Sequence, residues 1–544
     1  MRKHFLWIGA ALVALTACGN TLDVANTNQP DVARAYATPP LVEGVVGGLD
    51  INVFNSARAS ESINTQSQIL SGMSYATVAN FGMAARTQIP RSPLSNDLGN
   101  DQQAGNLANF NAFSRAARTG ANVVQSIVAY KAKGLTMGSD AQDARAKAWA
   151  YFVLGQSLGY LSLGYDSAAI VTPLTASSDV PALSAAKDVN VVALAMLDSA
   201  IATANGPAAS SGGSNGFPLP STWYSGIADI NAAKLVRMAR SFKAKFRAGV
   251  ARTPADRAAV DWNAVISDAT NGITSDLAPA VLASTGWSVQ FDISQLYVGQ
   301  GWHEFPLLYA GMADISGGYD NWLKVPIATR GAFLVVTPDL RWPQGGTRVT
   351  QQAEAPVAST ILPTGRYIRN RQDKEDFPSP GWGDSWYDFH RYIAAYNATS
   401  GNYVDLAKAE VDMLAAEGYI RQGNLAAAQA LIDITRIRNG LGSVGVPANK
   451  DAPYSTAANC VPRVPQAPNY TSTACGSIWE AMKYEKRMET AMTGYLTWYT
   501  DNRGWGDLVT GTPVEWAVPY QEMQSRFQTW HASSNQAAKG TYGF

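Results

Sequence analysis

An alanine-rich stretch late in the chain restricts the possible folds more than any other part of the sequence. Residues 404–442 read VDLAKAEVDMLAAEGYIRQGNLAAAQALIDITRIRNGLG. Apolar side chains recur at helical spacing in both halves of this stretch, at Leu406, Met413 and Leu414 and then at Leu431 and Ile434. Gly423 lies in the short break at 421–424 and suits the left-handed residue that ends a helix. The pattern predicts two helices in an antiparallel hairpin.

Similar helical sequence elsewhere predicts a mainly α fold of about eight helices, readable as four pairs. The small alanines let paired helices approach closely, which is typical of tetratricopeptide-like units, although no sharp repeat period appears. The other predicted helices cover residues 103–133, 141–163, 186–204, 229–250, 261–276 and 477–500. The sequence therefore predicts a helical-hairpin scaffold built from about 103–276 and 403–500.

The sequence between about 277 and 402 has a different character. It is rich in Gly, Pro and aromatic residues, and Phe333 to Thr337 is a short run typical of a β-strand. A stretch of this length is too long for a simple loop. We expect a loop-rich, partly β insertion carried on the helices, within a single domain that spans 41–544.

The first residues predict an exported lipoprotein. Arg2 and Lys3 precede an uncharged, mostly apolar run at 5–17, which is too short to span a membrane. Small residues then lead to a cysteine in LTAC, an arrangement similar to a bacterial lipobox. We expect residues 1–17 to be removed, Cys18 to be acylated and 18–40 to form a polar tether. The alternative is an ordinary signal peptide with a chance cysteine.

The charge balance excludes one class of partner. The whole chain has 42 basic and 42 acidic residues, and removal of 1–17 leaves 40 basic residues. Without a basic excess or a basic run, the chain is not expected to bind nucleic acid.

The other two cysteines flank a Pro- and Thr-rich loop. Cys460 and Cys475 enclose VPRVPQAPNYTSTA. In an exported protein, a disulfide that closes this loop is expected. The alternative, a pair of metal ligands, lacks two further ligands.

Motifs that could indicate an enzyme are weak. The G-x-G-x-x-G match at 440–445 follows a predicted helix rather than a strand, and the G-x-S-x-G match at 212–216 lies in a Ser/Gly-rich loop. The histidines are far apart in sequence, which disfavours a zinc site. Asp373, Glu375 and Asp376 could suggest paired glycosidase carboxylates but are more typical of a solvated turn. We expect no enzyme activity and no cofactor, and no EF-hand loop indicates a structural calcium.

Four segments, taken together, resemble the SusD/RagB family of nutrient-binding outer-membrane lipoproteins. The first is the lipobox followed by LDVANTNQPDVARA, residues 22–35. The second is RAKAWAYFVLGQSLGYLSL, residues 145–163, and the third is the hairpin segment 406–442. The fourth is IWEAMKYEKRMETAMTGYLTWYTDNRGWGDL, residues 478–508. These segments span nearly the whole mature chain.

The fourth segment departs from the family pattern, so the chain is predicted to be a divergent member. It keeps Glu485, Arg487, Glu489 and Gly494. It has Thr493 in place of the usual glutamate, Leu496 in place of the usual arginine and Tyr499 in place of the usual aspartate. The resemblance implies that these motif residues hold the C-terminal helix against the scaffold.

The resemblance implies a cell-surface protein that captures oligosaccharide or peptide and delivers it to a SusC-like TonB-dependent barrel transporter. Clustered aromatic rings in the insertion could stack on sugars, at Trp302, Tyr319, Trp322, Trp382, Trp386 and Tyr387. A second candidate region at 74–101 contains Phe81, Arg86 and Asn96. The alternative for the rings is packing of the insertion. The alternative function is a tetratricopeptide-like envelope scaffold that binds other proteins, and this hypothesis predicts buried rings.

Overall fold

The computed structural model describes residues 32–59, 62–77, 86–99, 104–210, 216–227, 229–288, 303–376, 381–533 and 535–544. The described part of the chain begins with four short helices, and the first two of them begin within the predicted tether at 18–40. Pro39 begins one of them, at a position where proline's missing N–H has no intrahelical partner to lose. The four are α1 Val32–Ala35, α2 Pro39–Gly47, α3 Leu49–Ala57 and α4 Ile63–Leu70.

The predicted mainly α architecture is confirmed by the helices that follow. Side-chain caps begin several of them, as where Ser139 accepts the N–H of Gln142 and Asn231 accepts the N–H of Lys234. The helices of the first half are α5 Ala104–Ala132, α6 Asp140–Gly164, α7 Ala186–Ala204, α8 Pro207–Ser210, α9 Ala232–Gly249, α10 Pro254–Ala258 and α11 Trp262–Thr270.

The predicted hairpin is present as α16 Lys408–Arg421 and α17 Leu425–Arg438. Gly423 has the left-handed conformation expected of the break, with φ of 78°. Met413 and Leu414 are buried as expected, whereas Ile434 is 52% exposed, so its prediction as a core residue is wrong. Helix α17 buries Ala428 and Ile432 instead, so a different face of this helix packs against the core.

The scaffold helices pack in a continuous series along the chain. Helix α6 packs between α5 and α7, α7 against α9, α9 against α11, and α11 against α16. Helix α16 in turn contacts α17 and α18 Ile478–Thr490. This series is the helical-hairpin scaffold that the sequence predicts.

The last predicted helix, 477–500, is two helices rather than one. Helix α18 ends at Thr490, and α19 Thr497–Trp505 begins after a sharp turn, followed by the short α20 Tyr520–Ser525. Met492, Gly494 and Leu496 all have positive φ within the turn, which no continuous helix allows. Asn64 stabilises this turn by accepting the backbone N–H of Leu496 at 2.8 Å.

The insertion contains only short elements. Its helices are α12 Leu307–Ala310, α13 Gly318–Lys324, α14 Arg348–Gln352 and α15 Ile393–Ala398. Its strands are β4 Ala280–Leu282, β5 His303–Glu304, β6 Ile368–Asn370, β7 Tyr387–Phe389 and β8 Ser400–Asn402. Strand β5 pairs with β1 Tyr75–Ala76, β4 with β8, and β6 with β7, all antiparallel.

The run from Phe333 to Thr337 is extended but pairs with no strand of the described residues, so its prediction as a β-strand is wrong. Side chains take the place of a partner strand. The backbone N–H of Val335 donates to the Tyr387 hydroxyl at 2.9 Å, and that of Val336 donates to Asp314 at 3.0 Å.

Two further hairpins lie outside the insertion. They are formed by β2 Ser167–Ala169 with β3 Leu183–Ala185, and by β9 Arg463–Pro465 with β10 Thr473–Cys475. One large hydrophobic core joins the scaffold and the insertion, since it includes Trp149 of α6 as well as Trp342 and Tyr387. Within the described residues, none of the helices combines the length and the apolar character needed to cross a bilayer.

Candidate functional site

The aromatic residues predicted to bind sugar in the insertion mostly pack its interior. Tyr319 and Trp322 are 1% and 4% exposed and stack on each other with ring centroids 5.7 Å apart. The guanidinium of Arg330 lies over the Trp322 ring, 4.2 Å from its centroid, and the Tyr319 hydroxyl donates to the carbonyl of Leu308. As the structure places them, these two rings have no free face for a ligand.

Trp382 and Tyr387 are buried as well. The Tyr387 hydroxyl donates to Gln351 at 2.9 Å, while Trp382 packs edge-on against Tyr75. Trp386 is only partly buried and lies under the guanidinium of Arg348 at 4.5 Å. Of these aromatic residues, Trp386 is therefore the one that a ligand could reach in the described structure.

The two predicted regions meet in space. The indole N–H of Trp382 donates to the carbonyl of Thr87 at 3.0 Å, and β1 pairs with β5. Arg86 is buried, and Asn96 is buried with its amide bonded to the carbonyls of Val518 and His531. The side chains of both residues therefore lie inside the fold. Three predicted positions, Cys18, Phe81 and Trp302, lie outside the described residues.

The carboxylates of the acidic cluster at 373–376 form ion pairs with neighbouring arginines. Arg348 contacts Asp373 at 3.4 Å and Asp376 at 2.6 Å, while Arg369 contacts Glu375 at 2.8 Å. These arginines hold the cluster against β6. The charges are thus used to fix the insertion in place.

The histidines of the described residues do not come together. His303 is buried with its Nδ1 2.8 Å from the Ser74 hydroxyl, and burial lowers its pKa to about 4. Burial also lowers the pKa of His390 to about 3, and His531 lies against Asp166 at 2.5 Å. No group of three or more His, Cys, Asp or Glu side chains in the described ranges is arranged to hold a metal ion.

The glycine motif at 440–445 caps a helix, as the sequence predicts. Gly440 follows the end of α17 with φ of 76°, and the next N–H, of Leu441, donates to the carbonyl of Arg436 at 2.9 Å. The other glycine motif, at 212–216, falls mainly outside the described residues.

The late motif forms a buried polar network around Arg341. This guanidinium contacts Asp339 at 2.8 Å and both Glu485 and Glu489 at 3.0 Å. Burial alone would raise the pKa of Glu489, but Arg341 and Arg438 outweigh it and hold that pKa below its usual value. The network ties α18 to the insertion, whereas the resemblance implies contact with the scaffold, which is made here by Arg436 of α17 at 3.5 Å from Glu485.

Further polar residues of the fourth segment also form buried contacts. Arg487 donates to Asn502 at 2.9 Å and pairs with Asp507. Asp501 accepts from Arg257 at 3.1 Å and from Lys486 at 2.8 Å. Tyr499, which stands in place of the family's aspartate, instead donates its hydroxyl to the carbonyl of Pro513.

Cys460 and Cys475 are thiols in this structure and lie side by side. Their mutual hydrogen bond raises the pKa of Cys460 and lowers that of Cys475 to about 7. The contact agrees with a pairing of the two residues, and the disulfide itself stays a prediction.

An open groove lies between the first helices and α5. Its volume is about 980 Å³, within the range of small-ligand sites. One wall of the groove is formed by α2 and α3 and the other by α5. One residue of α20 also lines the groove. The lining residues are Gly44, Val45, Gly48, Leu49, Asn52, Ser56, Leu107, Ala108, Asn111, Ala112, Arg115, Ala116, Thr119 and Gln521.

Helical periodicity builds both walls. The α5 residues from Leu107 to Thr119 share one helix face, so this wall is about 18 Å long at 1.5 Å per residue. Gly48 and Ala112, which line the two walls, have small side chains or none and so leave room between them. The result is an elongated groove rather than a closed pocket.

Several polar groups in the groove are not used by the fold. The Arg115 guanidinium forms no ion pair with any described side chain, and only its Nε donates, to the carbonyl of Asn111 at 3.3 Å. Among the described residues, neither the Asn111 amide nor the Gln521 side-chain carbonyl has a hydrogen-bond partner. A bound molecule could pair with Arg115 and Asn111, which reach the surface, whereas the Gln521 oxygen is buried at the edge of the groove.

Sequence analysis did not identify this groove. Its residues belong to alanine- and glycine-rich helices and include no aromatic cluster. The signal that could have found it is the row Asn111, Arg115 and Thr119, which puts polar groups at every fourth position of a helix otherwise rich in alanine.

The fold is similar to that of several solved proteins. One is a SusD superfamily protein from Bacteroides thetaiotaomicron, with a TM-score of 0.54 and 14% identity over 92% of this chain and 99% of that one. Another is a SusD homolog from the same organism, with a TM-score of 0.52 and 12% identity over 91% and 98% of the two chains. A third is a SusD superfamily protein from Bacteroides fragilis, with a TM-score of 0.52 and 13% identity over 90% and 97%.

The chain therefore has a SusD-like fold over about nine-tenths of its length. The predicted resemblance is confirmed at the level of the fold. The sequence identities of 12% to 14% agree with the predicted divergence. No family model matches the sequence, and no curated protein matches it.

Proposed function

We propose that the protein is a cell-surface, lipid-anchored member of the SusD type that captures an oligosaccharide or a peptide. It delivers this ligand to a SusC-like TonB-dependent transporter in the outer membrane and catalyses no reaction itself. The SusD-like fold and the lipobox at Cys18 support this proposal. Because a fold by itself does not fix a function, the argument rests on the groove.

The observation that carries the proposal is the set of unpaired polar groups in the open groove. Asn111 offers an amide and Arg115 a guanidinium, and small residues such as Gly48 and Ala112 line the groove beside them. Such groups suit a ligand with many hydroxyl or carbonyl oxygens spaced along its length. A groove of about 18 Å accommodates several units of an oligosaccharide or an extended peptide, since an extended chain advances about 3.3 Å per residue.

A second candidate is an envelope scaffold that binds only proteins. The burial of Tyr319, Trp322, Trp382 and Tyr387 favours it, because this hypothesis predicts that the aromatic insertion is packed rather than exposed. The two candidates differ in what the groove does. In the scaffold hypothesis the groove binds no oligosaccharide and no peptide.

The test begins with the acylated full-length protein as bait in solubilised outer membranes. Recovery of a TonB-dependent barrel in near-equal amount is the expected result. The purified protein is then titrated with panels of neutral oligosaccharides and of short peptides. Recovery of other envelope proteins without a barrel, together with no binding in either panel, would establish the scaffold function instead.

A further inference from the structure

Helix α5, one wall of the groove, carries positive charge only. None of its 29 residues is aspartate or glutamate, although the whole chain has as many acidic as basic residues. Two of its three cations have partners in the fold, since Lys131 lies 3.4 Å from Asp140 and Arg118 donates to two carbonyls of the loop at 172–181. The third cation, Arg115, lines the groove and has no ion pair with any described side chain.

The groove offers this cation no carboxylate. Among the described residues, none of the side chains that line the groove is acidic. The acidic residues next to lining positions are paired elsewhere, Glu43 with Arg145 at 2.5 Å and Glu522 with Arg526 at 2.6 Å. Asp50, next to the lining residue of α3, is 1% exposed and lies in the core. The guanidinium on α5 is therefore the one charged group that a ligand meets in the described part of the groove.

An unpaired amide lies one helical turn from this charge. The Ser56 hydroxyl already accepts from the Asn109 amide at 2.9 Å, and the Thr119 hydroxyl donates to the carbonyl of Arg115 at 2.8 Å. The terminal nitrogens of Arg115 and the side chain of Asn111 have no hydrogen-bond partner among the described residues. These two residues are separated by about 6 Å along the helix axis, at 1.5 Å per residue. A sugar unit that carries an acidic group and a hydroxyl can contact both.

We propose that the groove selects oligosaccharides that carry an acidic group, a uronate carboxylate or a sulfate ester, and that Arg115 binds this group. The inference rests on the proposed function and narrows its ligand to one class. A guanidinium presents its N–H groups in a planar fork, which matches two oxygens of either anion. A groove that offers a cation and no carboxylate complements a negative ligand, so it discriminates against a neutral sugar of the same shape.

An acidic peptide fits the groove less well than an acidic sugar does. An extended peptide binds largely through its own backbone N–H and C=O groups, which pair with the open edge of a sheet. Both walls of this groove are helices, whose backbone groups are already paired within α2, α3 and α5. The groove therefore binds mainly through side chains such as Asn111 and Arg115, and these suit the hydroxyl and acidic groups of a sugar.

The experiment titrates the purified full-length protein by calorimetry with matched pairs of tetrasaccharides. One arm uses tetramers of galacturonate, glucuronate, guluronate and mannuronate, each beside its carboxyl-reduced neutral counterpart. The second arm uses a sulfated galactose tetramer and its desulfated counterpart. A third arm uses tetraglutamate and tetraglutamine. The variant is Arg115→Gln, and the matched control is Arg237→Gln, which removes an exposed guanidinium of α9 that also has no ion pair with any described side chain.

Wild type is expected to bind at least one acidic tetrasaccharide about tenfold or more tightly than its neutral counterpart, as a charged hydrogen bond allows. Arg115→Gln should lose this preference, and Arg237→Gln should keep it. The arm that shows the preference identifies the acidic group as carboxylate or sulfate. An equal loss in both variants would overturn the proposal, because the preference would then reflect the general charge of the surface.

Other outcomes overturn this inference without touching the proposed function. They are equal affinity of wild type for acidic and neutral tetrasaccharides, a preference that persists in Arg115→Gln, binding of tetraglutamate with no acidic sugar bound, and binding of no probe at all. The first two depend on a bound sugar and therefore show that the protein is folded and captures ligand. Recovery of the barrel by wild-type bait is measured separately, and its failure would count against the proposed function whichever tetrasaccharide binds.

Discussion

Arg341 and Arg115 carry the same guanidinium group but differ in what surrounds it. Arg341 is fully buried and contacts three carboxylates, whereas Arg115 lies exposed in the groove with no ion pair among the described side chains. The polar residues of the sequence motifs thus form ion pairs and hydrogen bonds within the fold. The polar residues left for a ligand lie in helices that the motifs do not include.

The largest expected effect comes from breaking the buried network. Arg341→Met leaves Asp339, Glu485 and Glu489 without their shared cation, and we expect the free energy of unfolding to fall by about 3–5 kcal/mol. Arg115→Met is the matched control, with an expected change within about 0.5 kcal/mol because an exposed side chain is replaced. Denaturant unfolding measures both. Equal losses in the two variants would remove the distinction between the two arginines.

The second expected effect concerns the loop beside this network. Arg436, which lies 3.5 Å from Glu485, also donates to the carbonyl of Val461 at 2.8 Å and so holds the loop that follows Cys460. If Cys460 and Cys475 form the predicted disulfide in the exported protein, reduction should lower the free energy of unfolding by about 3 kcal/mol.

Mass spectrometry of intact protein, with and without reductant, measures the loss of two hydrogens that a disulfide requires. The double variant Cys460→Ser with Cys475→Ser is the control, because its unfolding should not respond to reductant. Two free thiols in protein purified from the envelope would contradict the prediction.

The third prediction concerns Asp50, a buried acidic residue outside the Arg341 network. Neither carboxyl oxygen of Asp50 has a hydrogen-bond partner among the described residues, and Asp405 nearby is already bonded to Arg58 and Tyr224. Burial, and then the charge of Asp405, raises the pKa of Asp50 well above its usual value. The folded protein therefore binds a proton that the unfolded chain has lost.

The sign of the pH dependence follows from this raised pKa. The stability that Asp50 contributes is fully present below its unfolded pKa and is lost as the pH rises toward its folded pKa. Asp50→Asn should remove this loss, so the variant should gain stability relative to wild type as the pH rises above about 4, by at most about 1.4 kcal/mol per pH unit. Unfolding curves of both proteins between pH 4 and 8 measure the difference. Parallel pH profiles would show that Asp50 is ionised when folded.

The smallest expected effect concerns Phe527, an exposed residue whose backbone is left-handed, with φ of 56°. Phe527→Gly should raise the free energy of unfolding by about 1 kcal/mol, because glycine adopts the left-handed backbone without strain. Phe527→Ala, which keeps the strain and removes the ring, is the matched comparison and should not gain this amount. Thermal unfolding compares the two. A loss of stability in the glycine variant would mean that the ring has a folding role.

The sequence predicts the scaffold well because helix periodicity and capping are local. The break at Gly423 and the hairpin around it needed only neighbouring residues. The turn at 491–496 could not be predicted in this way, because it depends on Asn64, more than 400 residues earlier in the chain. The same is true of the run at 333–337, whose partners are side chains of other segments.

The candidate site was harder to predict than the fold. Aromatic residues such as Trp322 have the composition of a sugar site, but burial and the contact with Arg330 decide their role, and neither can be read from sequence. Arg115 posed the opposite problem, because it is proposed as a ligand residue for having no ion pair among the described side chains. The row Asn111, Arg115 and Thr119 lies on one face of α5, but a row of polar residues is also expected on any helix face that contacts solvent.

The measurement that tests the central claim most directly is ligand titration of wild type, Arg115→Ala and Trp386→Ala. The oligosaccharide and peptide panels serve as probes, and Lys133→Ala, an exposed cation just beyond α5, is the control. We predict that Arg115→Ala weakens binding about tenfold or more, as expected for loss of a charged hydrogen bond, while the other two variants bind as wild type does. Full binding by Arg115→Ala with loss in Trp386→Ala would contradict the account and return the ligand site to the insertion.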